Sequence, residues 1–562
     1  MTLMDSENSK RLRYVGAAGV SLLAIFAVVA TLGGSLGWLR AIPWVVGLWV
    51  LWVVVVMAAL SLSLTVDRPD YKRLVFIIVC IALGLRGVAL VTSPILEIDY
   101  YRYLWDGKVL AEGVSPYAYS PAQILDADKA NPDEAYQRVV SLSLKSESNH
   151  EILNRIHFAK HTTIYPPVSQ FVFAAAMKWF PAGASAKAHV VWMKLVLVVF
   201  DLLTIVLVLK LLVDCGFSPG WLIAYAWNPL VIKEVANSGH LDSIAVFFVV
   251  AAVFVAAKSL RKVQETRGQW QLWVSASSLA LGFGAKLFPI ILLPLFVVVF
   301  SKVRWHRGAV FLIAFAIPAS GICWLMGQAL ADRQESQLYF AQQGQPSQEG
   351  LGGFLSTWRM NDVVFSTLYR NLNPSSDSKQ QPWFVLTANQ QRQTLDRWGQ
   401  QFRIGRSSPA FFLTRLVTLL IFFIVYGWIL VRTYRNDSPG EDRFPIGNIV
   451  WILTVFLFLQ PTVNPWYWLW VVPFTCFANH KGWTLISGFL LVYYVRFWFK
   501  NVANFDFAGE PYQGVGMFDN VVAWAEFAAI AVVIGWIRFG RDRLVRGGQP
   551  DSDGYSDVQF HG

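Results

Sequence analysis

The sequence predicts an all-α polytopic membrane protein, a bundle of about fourteen spanning helices with two large loops on its outer face. Three observations predict it. Hydrophobic residues make up 55% of the 562 and charged residues 15%, where soluble chains carry about 25% charged. Apolar runs near the length that crosses a hydrocarbon core recur from one end of the chain to the other. Lys and Arg gather in alternate connections between those runs. So much apolar surface cannot be hidden in a water-soluble core of this size, and the same numbers exclude disordered, collagen-like and disulfide-scaffold classes. The net charge of +11 is spread over short connections, which fits membrane topology and not nucleic-acid binding.

Taken in order, the candidate spans are 14–36, 43–64, 74–93, 186–213, 220–236, 241–258, 270–285, 287–302, 308–330, 409–432, 446–461, 465–479, 483–499 and 518–538. The first follows Lys10, Arg11 and Arg13, but it is longer than a signal-peptide core and a second run follows at once, so it reads as a retained anchor. Several later spans are short and paired as tight hairpins, tolerable where protein surrounds them. The run from Val168 to Phe180 reads as a shallow or interfacial helix opened by Pro166 and Pro167, where missing N–H groups do no harm. Making it span would reverse the side of the Lys258–Arg267 cluster. Cys80, Cys323 and Cys476 lie in apolar runs and Cys215 in a turn, with no CxxC pair, so neither a disulfide framework nor zinc is indicated.

The side shared with the N-terminus collects Arg68, Lys72, Arg73, Lys258, Arg261, Lys302, Arg304, Arg307, Arg432, Arg435, Lys481 and Arg538. Opposite short loops offer little beyond Arg40, Lys286 and Lys500. This places both termini in the cytoplasm and the long loops in the periplasm or outside the cell, with the protein in the plasma (inner) membrane. The chain then divides into two N-terminal spans (1–73), a core carrying the first outer loop (74–330, loop 94–185), a second outer loop (331–408), C-terminal spans (409–546) and a polar tail (547–562). No GxGxxG follows a strand and no GxxxxGK[ST] is present, so no cytoplasmic nucleotide-binding domain is expected.

The informative segment runs from Glu97 to Gly107, just past the third span. Carboxylates so close to lipid need a partner or a task. If a helix resumes at Asp99, then Arg102, Tyr103 and Asp106 share its face. Either these are interfacial ion pairs orienting a surface helix, or they are a base, a cation and a second carboxylate.

Asp99-Tyr100-Tyr101-Arg102-Tyr103-Leu104-Trp105-Asp106-Gly107, followed by Gly113-Val114-Ser115-Pro116-Tyr117, resembles the pattern of the bacterial polyprenyl-phosphate-mannose-dependent mannosyltransferases of glycosyltransferase family 87. Further matches are Ile164-Tyr165-Pro166-Pro167, Trp227-Asn228-Pro229, Gly239-His240-Leu241-Asp242, Ala285-Lys286-Leu287-Phe288-Pro289 and Asn464-Pro465-Trp466-Tyr467. The resemblance covers about 90–500. It implies a GT-C-type membrane bundle whose outward site transfers a hexose, mannose first, from a polyprenyl-phosphate sugar to a glycan or glycolipid acceptor. One carboxylate suffices, because the phosphate leaves without a proton, and that suits inverting single displacement.

By that resemblance Asp99 is the base. Glu97 binds the acceptor, orients Asp99 or helps hold a divalent cation; the sequence supplies no full ligand set, and no cofactor is expected. Lys286 is the phosphate candidate, with snorkelling to headgroups as the alternative. Arg102 pairs with Asp99 or with donor phosphate. Asp106 is a second carboxylate or, preferably, a helix cap. His240 and Asp242 share an outward turn. Tyr165, Trp466 and Tyr467 stack on sugar, line a prenyl groove or belong to an aromatic belt. Lys233 and Glu234 pair with each other. Competing functions are a transporter or flippase for a lipid-linked sugar and a polysaccharide polymerase or ligase of similar architecture.

Overall fold

A computed structural model describes residues 2–34, 38–127, 133–181, 183–261, 269–342, 358–373, 388–401, 408–435, 444–501, 504–507 and 510–539. The predicted tail 547–562 and much of the second outer loop, Trp383 included, lie outside the described residues. Among those described, eight helices are long and apolar enough to cross a membrane: Glu7–Gly33, Leu39–Ser63, Arg68–Val91, Ala186–Asp214, Asp242–Arg261, Trp305–Gln334, Pro409–Arg435 and Val515–Phe539. Their outer faces carry exposed Val28, Phe76, Val206, Ile317, Leu420, Phe423 and Ile424, as contact with lipid tails requires. Phe288–Val303 and Ile446–Phe458 are shorter apolar helices.

The other predicted spans are helical but shorter or interrupted. Gln269–Ala285 is a single helix. The 220–236 run breaks into Pro219–Leu222, Ile223–Ala226, Pro229–Val231 and a π-helical turn Ile232–Asn237, all buried. Such breaks survive because protein, not lipid, surrounds them and side chains take up the freed backbone groups. Asn228 Oδ1 accepts from the Leu230 amide (3.0 Å), while its Nδ2 donates to Ala224 O (3.0 Å) and Ser487 Oγ (3.0 Å). Trp227 Nε1 donates to Ile78 O (2.9 Å), and Trp52 Nε1 to Trp227 O (2.9 Å). The stretches 465–479 and 483–499 are likewise short pieces opening on Pro465 and on Gly482. A two-stranded hairpin, Asn504–Phe507 against Glu510–Gln513, is the departure from the all-helical prediction.

The Val168–Phe180 run forms the 12-residue helix Pro167–Lys178 with Pro167 in its first turn. It packs on the Tyr100–Ala111 helix so closely that a Cβ at Gly107 would lie 2.5 Å from Phe173 O. A buried ion pair, Arg86 to Asp201 at 2.5 Å, ties the third span to the Ala186–Asp214 helix, and the Tyr225 hydroxyl donates to the other Asp201 oxygen (2.6 Å). The Arg86 Nη1 atom also donates to Ala82 O (3.1 Å) and Ala226 O (2.8 Å), and such partnering is what lets the charges persist away from water.

Candidate active site

The loop that carries Glu97 and Asp99 is pinned from behind. The helix Tyr71–Val91 ends with unsatisfied carbonyls, and the fully buried Lys194 ammonium supplies donors to three of them, Ala89, Leu90 and Thr92, at 2.8, 2.9 and 3.0 Å. Asn237, at the end of the π turn, accepts from the Ile95 amide (2.9 Å) and donates to Ser93 O (3.0 Å). Between these anchors Leu96 is forced to φ 71°, an uncommon conformation for a branched side chain, immediately before the acidic pair. Gly239, at φ 68°, lets the next turn pass beside the Lys194 stem and aim His240 into the same space.

Asp99 precedes the helix Tyr100–Ala111, and its carbonyl accepts from the Arg102 amide at 2.9 Å. Its side chain makes no capping bond. Among the described residues no group hydrogen-bonds its partly exposed carboxylate, which faces a cavity of about 650 Å³. Eight of the ten predicted site residues line that cavity: Glu97, Asp99, Arg102, Tyr165, His240, Lys286, Trp466 and Tyr467. Asp106 and Asp242 do not.

Those two acids stand one step behind. Asp242 holds Lys286, with both oxygens 2.7 Å from the ammonium, and also accepts from Trp470 Nε1 at 2.6 Å. Lys286 lies over the rings of Tyr467 (4.9 Å) and Trp470 (5.6 Å), so it is a fixed, partnered cation and not a snorkelling one. Asp106 is no helix cap: the helix continues to Ala111, and the buried carboxylate accepts from Gln170 Nε2 (3.1 Å), which also donates to Thr163 Oγ1 (2.9 Å). Burial pushes Asp106 up to about 6 against the pull of Arg102, Thr163 and Gln170. Arg102 meets neither Asp99 nor Asp106 by a hydrogen bond; its guanidinium donates to Phe158 O (3.2 Å) and His161 O (3.0 Å).

Beneath Glu97 lies a sealed charged cluster. Lys233 and Glu234 pair at 3.0 Å, Tyr494 donates to Glu234 Oε1 at 2.5 Å, and His240 Nε2 is 3.3 Å from Glu234 Oε2. His240 stacks on Trp466 with ring centroids 4.5 Å apart. Burial works to lower the His240 pKa, but the carboxylates of Glu234, Glu97 and Asp99 outweigh it and raise it. Burial raises Glu97 to about 7; Lys233 and His240 oppose the shift, while Asp99 and Glu234 add to it.

Trp358 and Met360 of the second outer loop, and Arg415, Tyr493 and Arg496 of the C-terminal spans, also line the cavity and were not singled out as site residues. The signal for Arg415 and Arg496 is a cation inside an apolar run. The roof is fixed by Met360, whose amide donates to Pro461 O and whose carbonyl accepts from Val463 N, both at 2.9 Å. Among the described residues no three His, Cys, Asp or Glu side chains form a metal-holding group.

Residues 12–302 match the N-terminal domain of the alpha-(1->6)-mannopyranosyltransferase family, and residues 397–501 match the MptB C-terminal domain. The chain belongs to the alpha-(1->6)-mannopyranosyltransferase family. It is a multi-pass membrane mannosyltransferase, in keeping with the resemblance to glycosyltransferase family 87. No curated protein and no solved structure matches it. In this mannosyltransferase the N-terminal match supplies Glu97, Asp99, His240 and Lys286, and the C-terminal match supplies Arg415, Trp466, Tyr467 and Arg496 to the same cavity.

Proposed function

We propose that the protein transfers mannose from a polyprenyl-phosphate mannose to a hydroxyl of a glycan or glycolipid acceptor, on the outer face of the plasma membrane, with both termini in the cytoplasm. The observation that carries the reading is the Asp99 carboxylate, unbonded by any described residue, facing a cavity whose wall also holds Lys286 and Arg102. Asp99 takes the acceptor proton as the acceptor oxygen attacks the anomeric carbon. The bond from that carbon to the phosphate oxygen breaks, and polyprenyl phosphate departs as an anion. A single displacement inverts the anomeric centre, so an α-linked product requires a β-configured donor. The linkage in the family's name makes a sugar C6 hydroxyl the acceptor group. Lys286, held in place by Asp242, and Arg102 stabilise the negative charge that builds on the leaving phosphate. Glu97, neutral below about pH 7, hydrogen-bonds the incoming hydroxyl.

Leu287, Phe288, Ile290, Ile291 and Phe456 give one side of the cavity an apolar wall, suited to a prenyl chain. The test uses membranes supplied with radiolabelled polyprenyl-phosphate mannose and with the matching glucose and pentose donors. Wild type should incorporate mannose in preference to both, and Asp99→Asn, expressed to the same level, should incorporate it more slowly by a factor of about 10² or more. Preference for another sugar would remove mannose from the reading, and unchanged incorporation by the variant would remove Asp99.

A further inference from the structure

Planar side chains from both outer loops gather around one strained residue. Phe158 has φ 53°, in the left-handed region that bulky residues rarely occupy, and its side chain is 56% exposed. A large apolar ring held out on an unfavourable backbone is not explained by packing. Its centroid lies 4.6 Å from that of Trp358, which comes from the second outer loop. The rings of His157 and His161 stand 6.0 and 6.2 Å from Phe158, and all four residues line the cavity. The segment is held by Arg102, which donates to the carbonyls of Phe158 and His161 at 3.2 and 3.0 Å, and by the His161 amide, which donates to Phe158 O at 2.9 Å. The Arg102 amide in turn donates to Asp99 O at 2.9 Å. One residue, Arg102, therefore ties this aromatic group to the turn that carries Asp99.

A pyranose has apolar C–H faces and a polar rim. Rings such as Phe158 and Trp358 meet the faces, and imidazole nitrogens meet the hydroxyls. A prenyl chain has no use for the histidines, and a phosphate has none for the phenyl ring. We propose that Phe158 and Trp358 form an acceptor subsite that holds the sugar next to the one whose hydroxyl is glycosylated. This rests on the mannosyl-transfer reading above, and it goes beyond that reading by making acceptor length the property recognised. Phe158 and Trp358 bind substrate here without touching the reacting atoms.

The test is a KM comparison on the purified full-length protein, with polyprenyl-phosphate mannose as donor. The acceptors are octyl α-mannoside and its α-(1→6)-linked di- and trimannoside homologues. Wild type should show a lower KM for the longer acceptors. Phe158→Gly and Trp358→Ala should raise KM for the di- and trimannosides about tenfold, leaving KM for the monosaccharide and for the donor unchanged. Trp358→Phe, which keeps a ring, should retain most of the advantage. Phe158→Gly should not lower the melting temperature, because glycine accepts a positive φ without strain and the ring is largely exposed. A fall in melting temperature would assign the ring to packing. A wild type indifferent to acceptor length, or variants whose KM shifts equally for all three acceptors or for none, would overturn the subsite while leaving mannosyl transfer intact. No transfer by wild type to any acceptor would overturn the mannosyl-transfer reading itself, and the subsite with it.

Discussion

Asp99 and Asp242 begin two helices, one lining the cavity and one beside it, and their surroundings could hardly differ more. Asp242 is buried, clasps Lys286 with both oxygens at 2.7 Å and takes a third bond from Trp470. Asp99 is partly exposed and its carboxylate receives no hydrogen bond from any described residue. A carboxylate whose lone pairs are all engaged is a structural anion that fixes a cation. One whose lone pairs face open space can accept a proton from whatever enters. The contrast gives a physical ground for separating two acids that the sequence places in one candidate site.

The largest expected effect in stability falls on the engaged acid. Asp242→Ala leaves a largely buried ammonium uncompensated and should cost about 3–5 kcal/mol, read as a fall in thermal unfolding temperature in detergent. Asp99→Ala, which removes no capping bond and no ion pair, should stay within about 0.5 kcal/mol of wild type. Equal losses would erase the distinction. Combining Asp242→Ala with Lys286→Met removes the orphaned charge and should recover most of the lost stability; no recovery would mean that Trp470 or packing, and not the pair, makes Asp242 indispensable.

Glu97 sharpens the comparison through pH. Its pKa in the folded protein is about 7, above the ordinary carboxylate value, so between the two the folded chain holds a proton that the unfolded chain has released. Stability should therefore fall as pH rises across that window, and Glu97→Gln should flatten this part of the unfolding profile. Transfer should decline above about pH 7 in wild type and not in the glutamine variant, if neutral Glu97 donates to the acceptor. The smallest effect is expected at Asp106. Its carboxylate serves Gln170 behind the cavity wall, and Asp106→Asn should change the transfer rate by no more than about threefold.

How much of this was legible follows from how each contact is made. Loops on one side of a membrane bundle must share a face, and the span layout puts the 97–99 segment, the His240 turn, Lys286 and the Trp466 turn on the same side; all four line one cavity. The Lys286–Asp242 clasp joins the link after the Gln269–Ala285 helix to the start of the Asp242–Arg261 helix, and no periodicity or spacing encodes such a pairing. The Trp105-Asp106-Gly107 setting made Asp106 look like a helix cap. The glycine is there because the Pro167–Lys178 helix leaves no room for a Cβ. Within 219–237 the Asn228-Pro229 pair marks one break in the sequence, but only the packing of Asn228, Ser487 and Asn237 reveals how the backbone is satisfied. The second outer loop was unreadable from composition, since a substrate roof and a solvated cap use the same Trp, Arg and Gln residues. The pairing of Met360 with Pro461 and Val463 gives it a place over the cavity.

Single-turnover transfer shows whether Asp99 acts as the base and has no part in holding the donor. Asp99→Asn, saturated with labelled polyprenyl-phosphate mannose and mixed with acceptor, should bind donor as wild type does. It should form product slower by a factor of about 10²–10⁴, the range removed with a general base. A product burst at the wild-type rate, or a slow step explained entirely by lost donor affinity, would contradict that role.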